Sequence, residues 1–313
     1  MKKFITAAFV VVVFSGIGYW QLFSAPQGKN ATPEYIQIRS NERVGDIADE
    51  LEAKNIIRSS AVFLIDAKII GLDTKILPGR YQVDGSVNVQ GIINALMHPK
   101  NFEVSVTVPE GFTVQDIDAR LTKMGLISSG DFSLVARPLE GFLFPDTYFV
   151  IGNNFKPASL VKKMNDTFLR KFTPEMQSAV AEHKRTLKDV IIMASILEKE
   201  VNKKNDYPIV AGILWKRLDS GWPLQADAAG LYGKEMLAIS SSDSNSAAAE
   251  NPYNTTKNKG LPPTPICNPG LVAIQAAIFP EESPYWFYLT GNDGAMHYGK
   301  TNDEQNVNRR KYL

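Results

Sequence analysis

Tyr35, Ile36, Gln37 and Ile38 alternate as a short strand does, and Val44, Ile47, Ala48 and Leu51 then recur at the three- and four-residue spacing of one helix face. Ser40 or Asn41 is the expected N-cap of that helix. The spacing predicts a second helix over Ser60 to Ile70 and a returning strand at Gly79 to Val83, with a short amphipathic stretch from Val87 to Met97 after it. A strand around Glu103 to Val108 and a helix from Val114 to Met124 follow. Sliding the chain along itself by 70 residues brings Val44, Asp46, Ile47, Leu51, Ile57 and Ser59 onto Val114, Asp116, Ile117, Leu121, Ile127 and Ser129, so the same strand-turn-helix unit is expected twice. Residues 156 to 184 read as one or two helices, Thr186 to Asn202 as a strongly apolar helix, and Pro208 to Leu218 as another, closed by Gly221. Residues 239 to 251 are poor in bulky apolar side chains and are expected to form a surface excursion.

The N-terminus is patterned differently. Lys2 and Lys3 precede an uncharged stretch from Phe4 to Phe23, which is about the length a helix needs to cross a bilayer. A cleaved signal peptide is the alternative, but its apolar core is usually shorter, and Phe23-Ser24-Ala25 places a bulky residue at the cleavage site. An uncleaved anchor is therefore expected at residues 4–23, with residues 1–3 retained in the cytoplasm by their positive charge and the rest of the chain outside. Residues 24–33 carry two prolines, a glycine and small polar side chains, the composition of a linker.

Composition narrows the function classes. Of the 313 residues, 34 are Lys or Arg and 33 are Asp or Glu, so a net charge of +1 provides no field for a polyanion and nucleic acid is not an expected partner. One cysteine, Cys267, excludes an intramolecular disulfide and a cysteine-based metal site. His98, His183 and His297 lack metal-ligand spacing, and the chain contains no nucleophile elbow, phosphate loop or dinucleotide fingerprint. No metal site and no organic cofactor are expected.

The sharpest chemical signal lies in Thr186 to Asn202. Val190 to Leu197 is eight residues long with only Ser195 polar, so it should be buried almost all round, and Glu198 follows at once. A carboxyl at the margin of a core holds its proton because desolvation disfavours the anion, which suits a general acid; the bland alternative is a glutamate that marks the exit from the core. Carboxylate chemistry on sugars commonly uses two groups, for which Asp146 and Asp227 are candidates, although each fits a turn as well. One carboxyl suffices if the substrate supplies its own nucleophile. The proline-rich stretch from Gly260 to Gly270 has the stiffness of a rigid cleft wall, and Trp215, Trp222, Tyr232, Tyr285, Trp286 and Tyr288 are candidates for stacking on sugar rings.

Five segments in fixed order extend this reading: LEGFLFPDTY at 139–148, ASILEKE at 194–200, LQADAAGLYG at 224–233, PYNT at 252–255 and GLPPTPICNPG at 260–270. Behind one N-terminal anchor, they resemble the MltG-type endolytic murein transglycosylases, the YceG-like family. Departures occur at Ala229, where many relatives carry threonine, and at Gly299, where an aromatic is common. The resemblance implies an α+β protein with a LysM-like βααβ module at 34–86, a connecting helix and linker at 87–102 and a catalytic domain at 103–313. It also implies a single-pass bacterial inner-membrane protein with its catalytic domain in the periplasm. Glu198 takes the position of the family's catalytic glutamate, and Gln225, Asp227, Tyr253, Asn254, Thr255, Asp146 and Tyr148 are assigned to substrate binding. The implied reaction cleaves the MurNAc–GlcNAc bond within nascent peptidoglycan glycan strands and leaves 1,6-anhydro ends, without metal or cofactor. Glycan-polymerising synthases are implied partners. Two rivals remain at this point: a non-catalytic membrane-anchored peptidoglycan-binding protein, and a muramidase that uses water.

Overall fold

A computed structural model describes residues 33–39, 42–72, 76, 78–97, 102–152, 155–240 and 251–313. The expected anchor at 4–23, most of the linker, the N-cap candidates Ser40 and Asn41, and most of the 239–251 excursion lie outside these residues. Among the described residues, no helix is long and apolar enough to cross a membrane. The protein is α+β, with antiparallel strand pairing in both sheets and helices between and after the paired strands.

Contacts divide the chain into two compact units. One holds the described residues up to Val106 together with Phe149–Phe155; the other holds Thr107–Tyr148 and Lys156–Leu313. In the first unit, β1 (Glu34–Ile38) pairs antiparallel with β2 (Gly79–Val83), Ile36 standing opposite Tyr81. Two helices, α1 (Val44–Ala53) and α2 (Ser60–Ile70), connect them. The N-cap of α1 is Arg43, whose guanidinium pairs with Asp46 in the first turn, and Ser59 caps α2 through its side chain. Helix α3 (Val89–Met97) does more than connect, because Val89, Ile92, Ile93 and Leu96 are buried in the same core as Ile36, Leu51, Phe63 and Tyr81.

Strands β3 (Phe102–Thr107) and β4 (Thr147–Ile151) complete a sheet in the order β1-β2-β3-β4. Between them lie α4 (Val114–Lys123) and α5 (Asp131–Ala136); the order strand, helix, helix, strand recurs, with α5 and β4 added to the strand-turn-helix unit expected from the sequence. Helices α1 and α4 have the same length, 10 residues, and end alike. Asn55 and Gly125 both have positive φ, 54° and 70°, and the next residue returns an N–H to Leu51 or Leu121.

In the second unit, residues 156–184 form two helices, α6 (Pro157–Lys171) and α7 (Pro174–Glu182), divided where Thr173 caps a new helix beginning with proline. Helix α8 (Leu187–Glu200) starts from a capping box: the Asp189 N–H donates to Thr186 Oγ1 at 3.1 Å, and the Thr186 N–H donates back to Asp189 Oδ2 at 3.1 Å. All eight residues from Val190 to Leu197 are buried. They pack against α9 (Tyr207–Asp219), α10 (Asp227–Ser240) and α11 (Leu271–Ile278). A hairpin of β5 (Phe287–Thr290) and β6 (Met296–Gly299) packs on α12 (Asn302–Tyr312).

Candidate active site

The C-terminal turn of α8 is where buried helix meets polar surface. Ser195 is fully buried and satisfies itself along the helix, its hydroxyl donating to the Ile192 carbonyl at 2.7 Å while accepting the Ile266 N–H at 3.0 Å. Through that bond the helix holds the stretch Gly260–Gly270 against itself. Cys267 lies in the same stretch, fully buried, its thiol donating to the Ser195 carbonyl at 3.3 Å. Burial pushes that thiol far above its ordinary pKa, so it serves as packing and not as a nucleophile.

Three residues beyond Ser195, Glu198 is half-buried and its Oε2 accepts the Gly270 N–H at 2.9 Å. The Tyr207 side chain, from the first turn of α9, faces the same carboxyl and favours its anion. Desolvation raises the pKa of Glu198 above that of an ordinary glutamate; the Gly270 N–H opposes the rise, the charge of Glu110 adds to it, and Lys199 and Tyr207 oppose it. Tyr207 is itself pushed well above the normal tyrosine range, chiefly by burial and then by the charge of Glu198, so it stays a donor. A carboxyl held in one orientation and biased towards its protonated form can deliver a proton and later take one back.

Behind this edge, Asn268 ties three loops together. Its Oδ1 accepts the N–H groups of Gly141 at 2.9 Å and Leu143 at 3.0 Å, while its Nδ2 donates to Glu140 Oε1 and to the Phe112 carbonyl, each at 3.0 Å. Its own backbone exchanges further bonds with Gly111 and Phe112. Glu140 is buried and accepts the Val114 N–H, at the start of α4, at 3.0 Å. Burial raises its pKa to about 7. A cavity of about 280 Å³ opens nearby, lined by Thr113, Asp116, Lys199, Ala228, Tyr232 and Ile266 among others; Glu198 itself is not one of its walls.

The other expected site residues fall into two groups. Gln225 adopts a positive φ of 56° and donates its N–H to the Thr255 carbonyl at 3.2 Å, and buried Thr255 also accepts the Ala226 N–H on its hydroxyl at 2.9 Å. These bonds seat the 252–255 segment beside the start of α10, where Asp227 is exposed. Tyr253 packs edge-on to Tyr232 with ring centroids 5.2 Å apart, and its hydroxyl pairs with that of Thr264 at 2.8 Å. Asn254 accepts the N–H groups of Thr256 and Lys257, closing a local turn. A side chain at Gly233 would place its Cβ 2.7 Å from Tyr253 Cβ, so the glycine is what lets this segment reach α10. Gln225, Asp227, Tyr253, Asn254 and Thr255 are thus brought into one neighbourhood.

Asp146 and Tyr148 are engaged elsewhere. Asp146 is exposed and accepts the neighbouring Thr147 N–H at 2.7 Å. Tyr148 is buried, donates its hydroxyl to the Phe144 carbonyl at 2.6 Å, and has its pKa pushed up to about 12 by burial. Of the aromatic candidates, Trp215 and Tyr232 are buried, whereas Trp222 and Trp286 meet at the surface with centroids 4.8 Å apart.

Sequence reasoning passed over Glu110, Glu140, Glu200 and Tyr207. Glu200 is half-buried, accepts the Ala228 N–H at 3.4 Å and also has a raised pKa, chiefly from desolvation, so its place next to the solvated Lys199 misleads. Among the described residues, no group of three or more His, Cys, Asp or Glu side chains could hold a metal ion.

Comparison with known proteins finds relatives over most of the chain. The chain is 28% identical to an endolytic murein transglycosylase of Bacillus subtilis over 312 aligned residues, covering 89% of this chain and 84% of that protein. It is 24% identical to an endolytic murein transglycosylase of Streptococcus pneumoniae, covering 87% of this chain and 57% of the longer relative. A crystal structure of a YceG-like protein from Listeria monocytogenes shares the fold with a TM-score of 0.57, at 24% identity, over 89% of this chain and 99% of that one. The sequence profile of the YceG-like family matches residues 36–311, and the chain belongs to that family.

Proposed function

We propose that the chain is an endolytic peptidoglycan lytic transglycosylase and that Glu198 is its catalytic residue. The observation that carries this reading is the half-buried Glu198 carboxyl, held by the Gly270 N–H and raised in pKa, on the helix that bears the family's ASI-x-EKE pattern. The printed names of the Bacillus and Streptococcus relatives support the substrate class. In the proposed reaction, Glu198 protonates the oxygen leaving C1 of MurNAc as that bond breaks. The C6 hydroxyl of the same sugar then closes on C1 and returns its proton to Glu198, so the acid is regenerated and water is not consumed. Gln225, Asp227 and Tyr253 to Thr255 would supply the polar wall for the glycan, with Asp146, whose carboxyl is exposed, a further proposed contact; the hydroxyl of buried Tyr148 donates to the Phe144 carbonyl.

The cellular setting is part of the same proposal. The apolar stretch at 4–23 would anchor the protein in a bacterial inner membrane, with a short cytoplasmic tail and a periplasmic catalytic unit. The βααβ module from β1 to β2 would be the LysM-like part, and proximity to glycan-polymerising synthases would let cleavage set strand length.

Incubation of the purified protein with uncrosslinked glycan strands in isotopically labelled water tests the reaction class. New chain ends should be anhydro sugars free of label. Labelled reducing ends would make the protein a muramidase, and binding without any new ends would favour a non-catalytic peptidoglycan-binding protein.

A further inference from the structure

Glu110 lies in the short stretch between β3 and α4, exposed, with an ordinary turn sequence around it. Its surroundings are less ordinary. A methyl group placed on Gly270 would overlap the Glu110 carboxyl, so that carboxyl lies directly against the residue whose N–H binds Glu198. On the other side of the same stretch, a Cβ at Gly111 would lie 3.6 Å from Glu198 Cγ and 3.8 Å from Lys199 Nζ. The stretch is fixed in place, because the Gly111 N–H donates to the Asn268 carbonyl and the Asn268 N–H donates to the Phe112 carbonyl, each at 2.9 Å. Two glutamates from segments far apart in sequence therefore converge on one glycine.

We propose that Glu110 is a positioning residue that keeps the transferable proton on Glu198. This deepens the reading of Glu198 as the acid and rests on it. The groups that face Glu198 are Glu110 from the stretch before α4, Lys199 from its own helix, Tyr207 from α9, and the Gly270 N–H and Cys267 thiol from the proline-rich stretch. Of these, Lys199, Tyr207 and the Gly270 N–H all favour the anion, and Glu110 is the charged neighbour that opposes them. A site built only to bind a carboxylate would have no use for that second negative group. One that must begin each turnover protonated does.

The test is the pH profile of kcat/KM for the full-length protein in detergent with glycan strands, comparing wild type with Glu110→Gln. Loss of the negative neighbour should let Glu198 ionise earlier, moving the alkaline fall of activity to lower pH by about 0.5–1 unit, with the rate on the acid side retained. Glu110→Asp should restore part of the shift, and Gly270→Ala, whose methyl displaces the Glu110 carboxyl, should move the profile in the same direction as Glu110→Gln. An unmoved profile, or a loss of equal factor at every pH, overturns the role assigned to Glu110. Anhydro ends that disappear in Glu198→Gln, together with an unmoved Glu110→Gln profile, would sink this inference while leaving the proposed reaction standing.

Discussion

Glu198 and Glu140 show how differently two carboxyls of the same chain announce themselves. The eight-residue apolar run before Glu198 marks it as the place where a buried helix surfaces, and that is where it lies. Nothing local marks Glu140: its neighbours are Leu139 and Gly141, and its burial depends on Asn268 and Tyr232, which are distant in sequence. Glu110 was illegible for the same reason, since its meaning comes from Gly270. Glu140 makes a stability prediction. Its folded pKa of about 7 exceeds its ordinary 4.5, so the native state binds the extra proton; its contribution is complete below about pH 4.5 and is lost as pH rises to about 7. The shift corresponds to about 3 kcal/mol. Urea denaturation at pH 5 and pH 8 should show wild type losing stability across that interval and Glu140→Gln losing less; identical slopes would remove the assignment.

Elements were legible where one local pattern sufficed. Helix α2 and strand β2 match the expected bounds because side-chain spacing, the Ser59 cap and Gly71 at the helix end agree with one another. The N-cap of α1 falls on Arg43, not on Ser40 or Asn41, because Arg43 makes no side-chain cap bond and instead pairs with Asp46 three residues on, a pattern no capping residue type announces. The β5–β6 hairpin went unread, although Asp293-Gly294 at its turn, Gly294 with φ 69°, is a hairpin signal. Helix α8 rests on both kinds of information, a local capping box and a core assembled from α9, α10 and α11. Thr186→Ala should therefore cost about 1 kcal/mol in chemical denaturation while leaving kcat of the folded protein unchanged. Leu197→Ala, one residue from Glu198 and fully buried, should cost about 2–5 kcal/mol and lower kcat as well by loosening the helix end. Equal stability losses from the two variants would mean that the core contributes less to α8 than its burial indicates.

At the scale of the whole molecule, the class of fold was readable because the first strand-helix-helix-strand set carries its own periodicity, whereas in the second set only β3 and α4 did, and the short helix α5 and strand β4 were not expected. What periodicity does not contain is the closure of strands into one sheet. That closure gives residues 149–155 to the first unit although the surrounding chain belongs to the second. If residues 4–23 anchor the protein, the full-length chain should sediment with membranes and need detergent for release, whereas recovery in the soluble fraction would remove the anchor. The central claim, a sugar bond broken by one carboxyl at the end of α8, is tested most directly by mass spectrometry of glycan termini made by wild type and by Glu198→Gln. Wild type should yield anhydro-MurNAc ends, and the variant should lose that product by about 10²–10⁴-fold while folding normally. Undiminished anhydro product from Glu198→Gln would contradict the account.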